Sequence, residues 1–509
     1  MARLLGLVFI WVFTCLGSTN LCAQKLYWIV PEDTIAMERL KDSLVNWKIE
    51  IRYQSDWLHA YSIRASHQNL QQILSGGIRC NVLPMRKLEP ASTFIGLERR
   101  YSYALKQMQA IAFYKAGLSG LGVKVGITDA GFLTLNDSME HAGLDHLWKD
   151  RTIVSTHDFV RGVDTISFDE SVYTGKAVPA HQPVWRIGRI IRQLKLVYHG
   201  HGSDVLNCIA GYNSSADYQS GLAPDALFYL ARTDNAYKDY GAEEDYYVAS
   251  LEWMYRQGVR LVNTSLGYGR GSRKNPYRYN PTDMNSSSMI AKAVNIACTE
   301  KNMLVIVAAG NEGDKKSWRV VSTPGDASAA LTVGAVLMKY ECAPYSGKGP
   351  EFNTYLKPDV VAYSQNGTSF SSPAICGFAA CLLEANPDLT AAQLKMLIIK
   401  SGHLYPYGNN YVGYGVPLAS RALKLLEDSS VTFQNTCETH VKGQNIYVLA
   451  DSIQKIPYIT VFHKKDVYHV IKQEVIPGHG RNTILIHRPK NCVRSTIQYG
   501  YNITEVYWE

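Results

Sequence analysis

The order of apolar and polar positions divides the chain into three stretches of different rhythm. Over residues 25–90 short strand and helix patterns alternate. Lys25–Val30 and Lys48–Tyr53 read as strands, with helical spacing over Ile35–Asn46 between them. A strand at Leu58–Arg64, a helix over Ser66–Leu74 closed by Gly76-Gly77, and a strand at Ile78–Leu83 follow, which predicts a small α+β domain. From Val123 the strands become continuously apolar, at Val123–Ile127, Ala226–Leu230, Val259–Val262, Met303–Ala308 and Leu331–Val336. Helices such as Glu243–Gln257 and Ser286–Glu300 fall between them. Strands that are apolar on both faces and alternate with helices predict the α/β class, with a mostly parallel, doubly wound sheet. Two helices close this stretch. Thr390-Ala-Ala-Gln393 is a capping box opening the first, Gly402 ends it, and the second spans Pro417–Leu426. Beyond Glu427, alternating β-branched and aromatic residues at Ile446–Leu449, Tyr458–Phe462 and Thr483–Ile486 predict a small C-terminal β domain.

A length of 509 residues fits about three such units, and 46% hydrophobic residues exclude a disordered chain. The net charge of +8 is spread along the whole sequence without a Lys/Arg block, so no nucleic-acid partner is expected. Arg186, Arg189, Arg192 and Lys195 recur every third residue inside an insertion near Asp164–Leu196, and read as a solvated basic face. The first residues carry a different signal. Arg3, the apolar run Leu4–Leu16 and the small residue of Leu21-Cys22-Ala23 predict a signal peptide over residues 1–23, cleaved before Gln24. The run is shorter than the ~18–20 residues that span a bilayer, and no later stretch is long and apolar enough to do so. The expected location is therefore outside the inner membrane: secreted, periplasmic or on a bacterial cell surface. Of ten cysteines, Cys15 and Cys22 belong to the signal, and Cys208, Cys298, Cys376 and Cys381 fall in apolar segments that favour buried free thiols. Cys437 and Cys492, both in the strand-rich tail, are the candidate disulfide.

Four segments carry candidate chemistry. Asp129 ends the first long strand; His199-Gly-His201-Gly-Ser203-Asp204-Val leads into an apolar helix. Val307-Ala308-Ala309-Gly310-Asn311 takes a strand into a glycine-flanked amide, and Gly367-Thr-Ser369-Phe-Ser-Ser-Pro373 precedes the apolar helix Ala374–Glu384. With Pro373 expected in the first turn of that helix, Ser369 stands at a helix N-terminus, where backbone N–H groups can receive developing negative charge. All four segments lie at the carboxyl ends of strands, where open α/β sheets build their sites.

In the chain order Asp, His, Asn, Ser, these segments resemble the signatures of the subtilisin-like serine proteases (subtilases). His201-Gly202-Ser203-Asp204-Val205, Ala309-Gly310-Asn311, Asn263-Thr-Ser265-Leu-Gly267 and Gly367–Pro373 carry the resemblance. Gly221-Leu-Ala-Pro224, Lys357-Pro-Asp359 and Gly413-Tyr-Gly415 add lesser matches in order, so that it covers about residues 100–427. The resemblance implies a secreted serine endopeptidase with Ser369 as nucleophile, His201 as general base, Asp129 as the acid orienting it, and Asn311 with the Ser369 N–H as oxyanion hole. It implies substrate backbone pairing at Ser265, Leu266 and Gly267 on one side and Ala308, Ala309 and Gly310 on the other. The pocket floor would fall near Val321–Pro324, with a large apolar residue preferred there. No cofactor is required, and no acidic cluster supports a structural calcium ion. Residues 24–95 resemble the propeptides that inhibit their own protease, with cleavage expected within Ser92–Tyr101; the alternative reading is a retained accessory domain. The catalytic domain would then span 96–428 and the β domain 429–509.

Some residues depart from the pattern: Ala130 follows Asp129, Phe370 follows Ser369, and Ser203 replaces a threonine, yet none removes a reacting atom. The His199-x-His201 pair lacks the acid spacing of a metallo-hydrolase, and Gly117–Gly122 precedes its strand, as a turn does and a nucleotide loop does not. Two other functions remain open at this stage: a non-catalytic binding protein on the same scaffold, and an esterase using Ser369.

Overall fold

A computed structural model describes residues 25–77, 79–84, 89–90, 101–134, 143–167, 199–213, 218–234, 243–269, 279–433, 436–449, 457–478 and 483–509. The signal-like residues 1–23, the basic positions Arg186, Arg189, Arg192 and Lys195, and the expected cleavage segment up to residue 100 lie outside them. Contacts divide the chain into two units, the first ending at Pro84 and excluding residues 55–58.

In the first unit, strands Lys25–Pro31, Glu50–Ser55, Ala60–Ala65 and Cys80–Pro84 form one sheet in the order 50–55, 60–65, 25–31, 80–84. Helices Thr34–Asn46 and His67–Ser75 join them. Ser66 caps the second helix in a reciprocal capping box with Asn69. Ile29, Leu40, Leu44, Ile63 and Ile73 are fully buried together, so the sheet and helices share one apolar core.

The second unit is built on seven parallel strands. Across the sheet they run Val360–Tyr363, Leu331–Val336, Leu304–Ala308, Leu261–Thr264, Lys124–Asp129, Leu227–Arg232 and Ile153–Asp158. The five apolar strands expected from the sequence form the middle of this sheet. The two edges were not expected: Ile153–Asp158 is short of apolar residues and half exposed, and Val360–Tyr363 has only four residues. Helix Thr368–Ala385 is buried through almost its whole length, as its apolar residues on every side require.

That helix starts six residues earlier than Ala374, so Pro373 lies in its second turn and not its first. Proline has no N–H, and the carbonyl four residues before it, that of Ser369, is thereby left outside the helical ladder. Gly117, Gly120 and Gly122 have positive φ and form a turn before strand Lys124–Asp129.

The tail forms a five-stranded sheet in the order Thr436–Val441, Asn502–Trp508, Arg494–Tyr499, Tyr458–Lys464, Val470–Pro477, beside a hairpin-like pair of Asn445–Leu449 with Thr483–His487. Phe462, Val470 and Ile503 of this tail join the core of the seven-stranded sheet. Cys437 and Cys492 do not pair: both thiols are free, Cys437 exposed beside Thr504 and Cys492 buried against His463 and Ser495. Cys437 lies on the exposed side of strand Thr436–Val441, whereas Cys492 lies in the turn before strand Arg494–Tyr499 and faces the core of the tail. Cys298, Cys376 and Cys381 are buried free thiols, and Cys208 is buried as expected. Among the described residues no helix is long and apolar enough to cross a membrane.

Candidate active site

Parallel strands all end on the same edge of the sheet, and this gathers the sequence segments. Lys124–Asp129 delivers Asp129, Leu261–Thr264 leads directly to Ser265, and Leu304–Ala308 leads to Ala309-Gly310-Asn311. Two helix starts meet them: Gly200–Ala210, with His201 in its first turn, and Thr368–Ala385, with Ser369 in its first turn.

His201 and Asp129 are buried, and His201 Nδ1 lies 2.6 Å from Asp129 Oδ1. The same carboxylate oxygen accepts the Ala130 N–H at 2.7 Å, which fixes its rotamer. Two contacts clamp the loop after Asp129 to the His201 helix. Ser203 Oγ accepts the Leu133 N–H at 2.8 Å, and Gly202 packs so closely on Gly131 that a Cβ there would stand 2.1 Å from the Gly131 carbonyl oxygen. The serine at 203 thus keeps the one hydroxyl this clamp needs. With Nδ1 directed at Asp129, His201 Nε2 has no hydrogen-bond partner among the described residues. Burial opposes the imidazolium, but the Asp129 carboxylate, with smaller contributions from Asp204 and Asp234, outweighs it and raises His201 above its ordinary value.

Ser369 is fully buried, and its hydroxyl donates to the Ser265 carbonyl at 3.2 Å. In return Ser265 Oγ donates to the Ser369 carbonyl, freed by Pro373, at 2.8 Å. Behind them Asn263 Nδ2 donates to Ser265 Oγ, and Ser372 Oγ donates to Asn263 Oδ1. The sequence reading did not assign Asn263 or Ser372; a buried Asn two positions before Ser265 was the available signal. Phe370 packs against His201 with the two rings tilted by 48° and their centroids 5.8 Å apart.

The Asn311 amide is oriented by Thr368, whose backbone N–H donates to Oδ1 at 2.8 Å and whose hydroxyl lies 3.1 Å from the same atom. A backbone N–H can only donate, so the oxygen and nitrogen of this amide are distinguished, and the buried Nδ2 donor is left without a partner. The Ser369 N–H lies among the first N–H groups of its helix, which have no intrahelical acceptor. Gly310 accepts no side chain: its φ is +95°, and a Cβ would stand 2.5 Å from Ser322 Oγ. Ser322 also packs on Gly267, so the segment 321–324 lies between the two strands expected to hold a peptide. Tyr268 and Thr323 exchange backbone hydrogen bonds along that line.

His199 does not share a ligand set with His201: its ring packs on Gly131 and faces the Phe132 carbonyl. Among the described residues no group of three His, Cys, Asp or Glu could hold a metal ion. Lys357 and Asp359 form a buried ion pair at 2.7 Å, to which Lys395 adds a second contact. Gly413 fits against the Asp359 backbone, so these lesser matches serve packing.

Residues 120–415, more than half of the chain, match the sequence model of the subtilase family. The chain is 25% identical over 323 residues to subtilisin E of Bacillus subtilis (strain 168), covering 62% of this chain and 69% of that protein. To the subtilisin of Bacillus pumilus it is also 25% identical, over 62% of this chain and 95% of that protein. Among solved structures, fervidolysin from Fervidobacterium pennivorans, a keratinolytic enzyme related to subtilisin, superposes with a TM-score of 0.54 at 15% identity, over 93% of this chain and 70% of that one. The epidermin leader peptide processing serine protease of Staphylococcus aureus does so with a TM-score of 0.54 at 15% identity, over 79% of this chain and 99% of that one. An acid–imidazole pair, a buried serine and a free amide donor gathered at one sheet edge agree with the sequence match: the chain belongs to the subtilase family of serine endopeptidases.

Proposed function

We propose that the protein is an exported endopeptidase in which Ser369 attacks the peptide carbonyl and forms an acyl-enzyme. The observation that carries this reading is the 2.6 Å contact between His201 Nδ1 and Asp129 Oδ1. A neutral imidazole that donates Nδ1–H to a carboxylate presents its lone pair at Nε2, which can take the serine proton and return it to the leaving amine. Asp129 then stabilises the imidazolium that forms. Asn311 Nδ2 has no acceptor among the described residues and the Ser369 N–H lies in the first turn of its helix, so both suit the oxygen that gains charge as the carbonyl becomes tetrahedral.

An extended peptide would pair with residues 265–267 and with 308–310. Support for the first edge comes from the chain itself, where Glu89–Pro90 pairs antiparallel with Leu266–Gly267, Pro90 opposite Leu266 and Glu89 opposite Gly267. The same pairing supports residues 24–95 as an intramolecular inhibitor, cleaved by the enzyme within residues 92–101. In the resting arrangement the Ser369 hydroxyl occupies the Ser265 carbonyl. A substrate N–H arriving there would free the hydroxyl to turn toward His201 Nε2. The segment 321–324 would floor the pocket for a large apolar side chain.

The test is expression of Ser369→Ala beside the wild type. Only the unprocessed chain should accumulate, without peptide hydrolysis; normal maturation of the variant would exclude self-cleavage. Ester turnover by the wild type without any peptide cleavage would replace the endopeptidase reading with an esterase.

A further inference from the structure

His201 has carboxyl neighbours that the proton transfer described above does not use. Asp204 stands three residues after it on helix Gly200–Ala210, so the two side chains share a face of the helix. It is 7% exposed, and among the described residues no Lys or Arg pairs with it. Asp234 lies two residues beyond Arg232, which is opposite Asp129 in the sheet register, and is 2% exposed. The nearby cation, Arg232, is bound to Asp158 at 3.0 Å and to the Ala130 carbonyl. Phe370, from the Ser369 helix, brings no charge. Among the described residues, the charged groups that act on the His201 ring are therefore Asp129, Asp204 and Asp234, all of them acids.

We infer that Asp204 is a positioning residue that acts through His201: its charge stabilises the imidazolium and sets the lower pH limit of activity. The inference rests on His201 being the general base. Asp204 touches neither substrate nor reacting atoms. Burial pushes its carboxyl up to about 7, with His201 working in the opposite direction and Asp129 in the same one. Asp204 thus loses its proton near the pH at which an imidazole loses its own, and each charge favours the other. Above that range the carboxylate supports the imidazolium of the transition state. Below it Asp204 is neutral and gives no support. Asp234, also raised by burial and sharing a hydrogen bond with Glu243, is the more remote member of the set.

Removing the Asp204 charge lowers the His201 pKa, so the acid limb of kcat/KM moves to lower pH while the plateau falls. For Asp204→Asn the limb should move down by about 0.5–1 pH unit, with a plateau kcat lower by roughly three- to tenfold. Asp204→Glu, which keeps the charge, should restore both toward wild type. A residue that only packs would lower the plateau without moving the limb. Thermal unfolding of each variant separates loss of fold from loss of tuning, and Asp204→Ser repeats the test should the Asn variant fail to accumulate. An unmoved acid limb in a folded, charge-free variant overturns the inference. His201→Ala distinguishes the two levels. If it keeps turnover, the general-base assignment fails; if it is inactive while the limb stays fixed in the Asp204 variants, only the present inference fails.

Discussion

Ser265 and Ser369 hold one another by two hydrogen bonds of opposite direction, Ser265 Oγ to the Ser369 carbonyl and Ser369 Oγ to the Ser265 carbonyl. The first exists because Pro373 denies the Ser369 carbonyl its helical partner. Ser265→Ala should therefore leave a buried carbonyl unpaired and destabilise the protein by about 1–3 kcal/mol. Adding Pro373→Ala supplies the missing N–H, so the double variant should lose less than the sum of the two single losses. Denaturant unfolding of the four proteins measures the coupling, and strict additivity would contradict the relationship.

Asn311→Ala removes a donor whose orientation is set by Thr368. Turnover should fall by about 10²–10³, a magnitude known from this same family, while KM changes little. Steady-state kinetics on the folded variant checks it. Normal kcat would remove Asn311 from the oxyanion site.

Gly202→Ala forces a methyl against the Gly131 carbonyl oxygen, a backbone atom that cannot swing aside. The His201 helix should shift from Asp129, costing about 1–3 kcal/mol of stability and a larger share of kcat than of KM. Calorimetry with kinetics would show both; an unchanged kcat would mean the clamp does not hold the pair.

Truncation after Glu427 should expose the surface on which Phe462, Val470 and Ile503 pack. It also removes the bonds that the Cys342 N–H donates to Gln473 Oε1 and the Val470 N–H donates to Asn410 Oδ1. The shortened chain should be poorly soluble or melt well below the intact protein. Equal melting temperatures would make the tail an independent appendage.

Much of this was legible in the sequence, and the exceptions have physical causes. Continuous apolar runs marked the inner strands, which are buried on both faces, whereas Ile153–Asp158 at the edge carries Ser155, Thr156, His157 and Asp158 and shows no such run. The Ser369 helix was expected to begin near Pro373, because proline favours first turns; here a side chain from another strand satisfies the carbonyl it frees. Spacing alone cannot report that. Asp204 stood in view three residues after His201, yet its burial, with no Lys or Arg paired to it among the described residues, is visible only in the structure. The pairing expected for Cys437 and Cys492 failed because an exposed strand position holds one thiol and a buried turn before the next strand holds the other, a difference of burial that spacing does not report.

Labelling of the processed protein with a fluorophosphonate, mapped by peptide mass spectrometry, tests the central assignment most directly. Modification should fall on Ser369 alone and drop to background in His201→Ala, in parallel with peptide hydrolysis. An unlabelled wild type, or a label on another serine, would contradict the account.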